Sequence, residues 1–169
     1  MLKRILFTLL TLLVIYSGVV LVYRLNEPDV VESPGSAYMT ENTLDYATLR
    51  DYTLSSGEST LHYYFFCSYE NNDCLYMENT VLKDAESETG LDLRNMIEYV
   101  DITDLEANLS TNRLKQEWDV ASYPAFVACR VRNGMIEISN TLQWNPSSPI
   151  STSDLIRWLE LNNLYDGNS

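Results

Sequence analysis

The 169-residue sequence predicts an α/β domain, a mixed sheet flanked by helices, preceded by one amino-terminal transmembrane helix. Three observations carry this reading. Ile5 to Tyr23 is a run of 19 residues without a charged side chain. Downstream, short apolar runs alternate with segments of helical periodicity, which implies parallel strands with helices over both faces of a sheet. Towards the carboxyl end, Asn133-Gly134 divides two apolar runs and suits the φ > 0 positions of a type I′ turn between antiparallel strands.

At about 1.5 Å per residue, the uncharged run can cross a hydrocarbon core about 30 Å thick. A cleaved signal peptide would have an apolar core of about 7–15 residues ending at a small-x-small site. Here the run continues through Val19, Val20, Leu21 and Val22, and Ser17 and Gly18 lie inside it. Residues 1–24 therefore read as an uncleaved signal anchor. Lys3 and Arg4 precede the span and Arg24 alone follows it closely. This bias puts the amino terminus in the cytoplasm and the remainder outside, in a single-pass protein of the cell membrane. Residues 25–42 hold two prolines, a glycine and four acids without periodicity, which reads as a flexible acidic linker ahead of a domain over 43–169.

Removing Lys3, Arg4 and Arg24 from the 11 basic residues leaves eight against 24 acidic ones, a formal charge of −16 outside the membrane. That charge repels nucleic acid and anionic headgroups, and its plainest role is to keep an exposed domain soluble. Three cysteines in an oxidising compartment allow one disulfide and one remaining thiol.

The elements follow in order. Thr43 to Leu54 places Leu44, Ala47, Leu49, Tyr52 and Leu54 near helical spacing, and Ser55-Ser56-Gly57 ends the helix. Thr60 to Cys67 is rich in aromatics and uncharged, the composition of a strand buried on both faces. Cys74, Met77, Val81, Leu82 and Ala85 form one stripe of an amphipathic helix that ends near Gly90. Met96 to Ile102 reads as a second strand, and Ser110 can cap a short helix carrying Leu114 and Trp118. Ala125 to Arg132 and Met135 to Leu142 form the hairpin. Asn145 to Pro149 breaks the chain, and Ser153 can cap a last helix whose apolar face is Leu155, Ile156 and Leu159.

This order, with Cys74 at the start of the helix after the first strand and Val120-Ala121-Ser122-Tyr123-Pro124 just before the hairpin, resembles the thioredoxin family over roughly residues 43–165. The resemblance implies a thioredoxin-like fold and places Cys74 where the second cysteine of C-x-x-C stands. It places Pro124 where the family has a cis-proline, beside which an extended substrate chain pairs with the backbone, so Tyr123 and Pro124 become candidates for binding a peptide or protein client. The attacking cysteine's position is Asn71, the tryptophan usually before it is Glu70, and the proline usual five residues after the second cysteine is Asn79. These departures imply reduced or absent classical thiol–disulfide exchange.

Chemistry explains the departure. A thiol at a helix amino terminus is held as the reactive thiolate by free N–H groups and the helix dipole. Asn71 can cap the helix but cannot form a mixed disulfide, and Glu70 and Asp73 oppose an anion at Cys74. Cys67 lies seven positions before Cys74, near enough to turn back to a Cα separation of about 4.4–6.8 Å. Such a bond is either a displaced redox pair or a staple worth about 2–3 kcal/mol in the chain-entropy model. Alternatively, Cys67 is a small buried residue. Cys129 shares a strand face with Val127 and Val131 and reads as a core thiol. His62, the only histidine, reads as a satisfied or edge residue. No Cys/His cluster has metal-ligand spacing, so neither a metal nor any other cofactor is expected. Asp84, Glu86 and Glu88 read as a solvated helix face, and nothing in the sequence marks an activated serine.

Two functions are consistent with these residues. One is a membrane-anchored extracytoplasmic protein in thiol–disulfide exchange through Cys74 with Cys67. The other is a redox-inactive module of the same fold that binds an extended peptide or partner protein beside Pro124.

Overall fold

The computed structural model describes residues 43–167. The membrane anchor and the linker expected over residues 1–42 lie outside these, and among the described residues no helix is long and apolar enough to cross a membrane.

The domain is built on a five-stranded mixed sheet in the order β1-β3-β2-β4-β5. Chain order gives β1 (Leu44–Asp45), α1 (Tyr46–Ser55), β2 (Leu61–Cys67), α2 (Asn72–Tyr76), a π-helical turn (Met77–Leu82) and α3 (Lys83–Thr89). Then follow α4 (Leu93–Met96), β3 (Glu98–Asp101), α5 (Thr103–Ala107), α6 (Asn112–Trp118), β4 (Ala125–Arg132), β5 (Met135–Gln143) and α7 (Thr152–Leu161). β1 and β2 flank β3 in parallel, whereas β4 runs antiparallel to both β2 and β5.

The central strand β2 shows why its sequence lacked a simple alternation: both faces are covered. Phe65 and Cys67 point into one apolar layer with Met77, Val81, Leu82, Leu155 and Trp158. Tyr64 and Phe66 point into the other, with Leu49, Val100, Leu114 and Trp118. The expected stripe Cys74, Met77, Val81, Leu82, Ala85 is buried along its length, although its middle turn winds as a π-helix, a form that recurs near functional sites. Gly90 ends this helical run with φ +70°, a conformation that costs a side-chain-bearing residue more than glycine.

The hairpin forms as expected, with Asn133 at φ 53° and Gly134 at φ 71°. It carries one irregularity, a register shift between Ala128 and Cys129.

Several local expectations are corrected. The first helix begins at Tyr46 because Leu44 and Asp45 pair with Val100 and Asp101 as a strand, and Asp45 then caps the helix by accepting from the Ala47 N–H. Its buried face is Tyr46, Leu49 and Thr53; Ala47 and Tyr52 are exposed. Thr53 is buried because its hydroxyl lies 2.7 Å from the Leu49 carbonyl and 2.8 Å from the Tyr64 hydroxyl. The second strand is shorter than its apolar run, since Leu93–Met96 forms a helical turn first. Ser110 does not cap α6; Thr111 holds that position without a side-chain bond, and the Ser110 hydroxyl turns to the Asn108 carbonyl. Ser151, not Ser153, caps α7, because only Ser151 has an acid three residues on to complete a capping box with Asp154.

Candidate functional site

β2 delivers Cys67 at its carboxyl end, and the loop Ser68–Glu70 leads to Asn71, the residue that starts α2. The Asn71 Oδ1 accepts from the backbone N–H groups of Asp73 (2.9 Å) and Cys74 (3.3 Å), so the helix start is satisfied by a side chain. Cys74 falls in the first turn and is bonded to Cys67, with a Cα–Cα separation of 5.6 Å, ordinary for a disulfide. Both cysteines are buried, at 0% and 1% exposure. The Ser68 N–H points at the Cys74 Sγ from 3.2 Å.

The segment from Ser68 to Leu82 carries Glu70, Asp73 and Glu78 and no basic residue, so local charge opposes a thiolate while the Ser68 N–H favours one. Glu78 is buried one turn beyond Cys74. With burial acting first, its charge and hydrogen bond raise the pKa of the Tyr99 hydroxyl.

Around the position of Asn71 the fold assembles a polar cluster that no local pattern announced. The Asn71 Nδ2 donates to the Glu106 Oε1 at 3.1 Å, and the Tyr123 hydroxyl donates to the same oxygen at 2.9 Å. Burial acts against charge on Glu106, but the Ser68 hydroxyl, the Asn71 amide and the Tyr123 hydroxyl outweigh it and hold the carboxyl below its usual range. Burial, followed by the hydrogen bond to Glu106 and its charge, pushes the Tyr123 hydroxyl up to about 12.

A carboxyl held below its ordinary pKa stabilises the fold above that ordinary value, and the contribution is lost as pH falls through the lowered one. Glu106→Gln is therefore expected to be less stable than the parent at neutral pH, with the gap closing below the usual carboxyl value of 4.5. Urea midpoints at neutral and acid pH test this; a gap independent of pH would remove the charge from the account.

The Tyr123–Pro124 peptide bond is cis. The Pro124 carbonyl accepts from the Trp144 N–H at 3.0 Å, and the Ser122 hydroxyl donates to the Trp144 carbonyl, tying the turn to the end of β5. Among the described residues the backbone N–H and C=O of Tyr123 make no hydrogen bond. Trp144 also packs edge-on against Tyr76, at 6.0 Å between centroids, and Tyr69 and Tyr76 are both 45% exposed.

The structure thus brings Cys67, Cys74 and Asn71 together, and it links Asn71 through Glu106 to Tyr123, the residue before Pro124. Glu106 and Ser68 escaped sequence reasoning. Glu106 lies 35 positions from Asn71, and only the crossover between β2 and β3 brings them into contact. Cys129 stands apart, buried and unpaired in a disulfide, its thiol pushed up to about 12 by burial and then by the charge of Glu98.

No family model matches the chain, and no curated protein matches it. Solved structures of low identity do resemble it. A thioredoxin from Thermus thermophilus is 19% identical over 73% of this chain and 88% of its own, with a TM-score of 0.45. The DsbD c-terminal domain of Neisseria meningitidis, in the oxidised form, is 18% identical over 71% of this chain and 97% of its own, at 0.48. Thioredoxin f2 of Chlamydomonas reinhardtii is 16% identical over 73% and 97%, at 0.46. At identities and scores this low, the thioredoxin-like fold is read from the chain's own sheet order, its cis Tyr123–Pro124 bond and the disulfide at the start of α2.

Proposed function

We propose that the chain is a membrane-anchored, extracytoplasmic thioredoxin-like protein in thiol–disulfide exchange through Cys74 and Cys67, slower than a C-x-x-C protein because Asn71 stands in place of the attacking cysteine. The carrying observation is the bond between Cys67 and a Cys74 whose sulfur faces the Ser68 N–H at a helix start. Those groups stabilise Cys74 as a leaving thiolate. A client thiolate attacks the Cys67 sulfur, the Cys67–Cys74 bond breaks and Cys74 leaves with the electron pair. A second client thiolate then displaces Cys67, so the client dithiol is oxidised and the pair reduced. Because both sulfurs are buried, attack waits on opening of the Ser68–Asn71 loop, a second reason for a low rate.

That burial, together with the unpaired backbone of Tyr123, favours a second reading: the disulfide is a staple, and the protein is a redox-inactive module whose Tyr123–Pro124 segment adds an extended client as one more hydrogen-bonded chain.

The test equilibrates the full-length chain, in detergent, across glutathione buffers and counts thiols by alkylation mass shift. Opening of the Cys67–Cys74 bond between about −120 and −270 mV is expected and matches working exchangers; a bond still closed below about −300 mV makes it a staple and leaves the binding module.

A further inference from the structure

At the end of β2 remote from the cysteines, three polar side chains from separate elements form a chain of hydrogen bonds. The Ser56 Oγ lies 2.7 Å from the His62 Nε2, and the His62 Nδ1 lies 3.0 Å from the Glu98 Oε2. We infer that Ser56, His62 and Glu98 act as nucleophile, base and orienting acid, and that the protein hydrolyses carboxylic esters. A triad is recognised by geometry and roles rather than by order in the chain, and both contacts are within hydrogen-bonding reach.

The surroundings favour these roles. Glu98 already accepts from the Tyr52 hydroxyl on Oε1, which fixes the carboxylate and turns Oε2 to the imidazole. A carboxylate on that side selects the tautomer with its proton on Nδ1, and leaves Nε2 as the base facing the serine. The ring is held by Tyr64, stacked at 5.4 Å, and by Tyr52, edge-on at 5.7 Å. His62 is buried at 6% exposure, while Ser56 is on the surface, so the base is shielded and the nucleophile is open to a substrate.

The serine is the C-cap of α1. An imidazolium formed beside it lies at the negative end of that helix as well as against Glu98. The Ser56 hydroxyl has one competing acceptor, the Thr53 carbonyl at 2.6 Å, and attack requires it to turn to Nε2. Gly57 follows with φ +94°, and the N–H groups of Gly57 and Glu58 donate no hydrogen bond among the described residues, leaving two donors beside the nucleophile for a developing oxyanion.

In the reaction the Ser56 oxygen attacks the ester carbonyl while its proton passes to the His62 Nε2. The carbon–oxygen bond to the alcohol breaks, and the alcohol leaves with that proton. Water then attacks the acyl-serine by the same route, releasing the acid and restoring Ser56. His62 and Cys67 are five positions apart on one strand, about 17 Å at the usual rise, so this chemistry is independent of the disulfide.

The full-length chain in detergent is treated with a fluorophosphonate probe and with p-nitrophenyl acetate, and the labelled peptide is mapped by mass spectrometry. Labelling of Ser56 is expected, together with its loss in Ser56→Ala and a fall of about 10²-fold or more in labelling and turnover rates in His62→Gln, the range of general-base contributions. Should His62→Gln fail to fold by circular dichroism, Glu98→Gln, changed at the partly exposed acid, must show a fall of the same direction. Absence of label on Ser56, label no faster there than on Ser55 and Ser59, or a rate unchanged in the folded base or acid variant overturns the assignment.

Discussion

Trp118→Ala is expected to lower the stability of the domain by about 3–5 kcal/mol, the range for removing a large aromatic from a core. The indole is 1% exposed at the end of α6 and fills the layer between that helix and the sheet. It meets the rings of Tyr64 and Phe66 at 5.6 Å each, so the deletion breaks two aromatic contacts as well as opening a cavity. Against a total of about 5–15 kcal/mol for an ordinary domain, a loss of that size removes from about a fifth to nearly all of the stability. Urea titration followed by far-ultraviolet circular dichroism measures it without relying on tryptophan emission. A loss under about 1 kcal/mol would mean that this layer rearranges to fill the space.

The second large effect concerns the disulfide. Closing the short loop between Cys67 and Cys74 stabilises the folded state by about 2–3 kcal/mol, chiefly by restricting the unfolded chain. Either cysteine alone can make no bond, so Cys67→Ala, Cys74→Ala and the double variant should each lose about the same 2–3 kcal/mol instead of adding. This equality separates the cross-link from packing, because two independent core truncations would sum. Additive losses would show that the cysteines act as separate core residues. The comparison also bears on function, since a cross-link that contributes little to folding is freer to open and close.

Where the sequence was legible, chemistry was local. Asn133-Gly134 marked the hairpin because few residues accept positive φ at two successive positions. Cys74, Met77, Val81, Leu82 and Ala85 marked the helix because an apolar stripe with period near 3.6 admits few other structures. The two-residue strand Leu44–Asp45 was not legible, since its only signature is pairing with β3, more than fifty positions away. The first helix misled because Tyr46 and Thr53 are buried through partners from elsewhere: Glu117 takes the Tyr46 hydroxyl, and Tyr64 meets that of Thr53. In the candidate site, Cys67, Cys74, Asn71 and Pro124 could be named from local order. Glu106 could not, and neither could the joining of Ser56 and Glu98 through His62, because these contacts are created by the crossovers of the sheet.

The sheet has unequal borders. β1 ends one side after two residues, whereas β5 presents nine residues along the other, and no strand among the described residues pairs its outer side. An open strand of that length is where a second copy could extend the sheet and begin aggregation. Three features described by the contacts of β5 work against it. The irregularity at Ala128/Cys129 bends the ribbon, Glu137 holds charge on the strand between Arg130 and Arg132, and Asn140 is bound in both directions to Asn162 at the end of α7. The same hairpin that frames Pro124 thereby also carries its own guards against joining edge to edge with another copy of this domain.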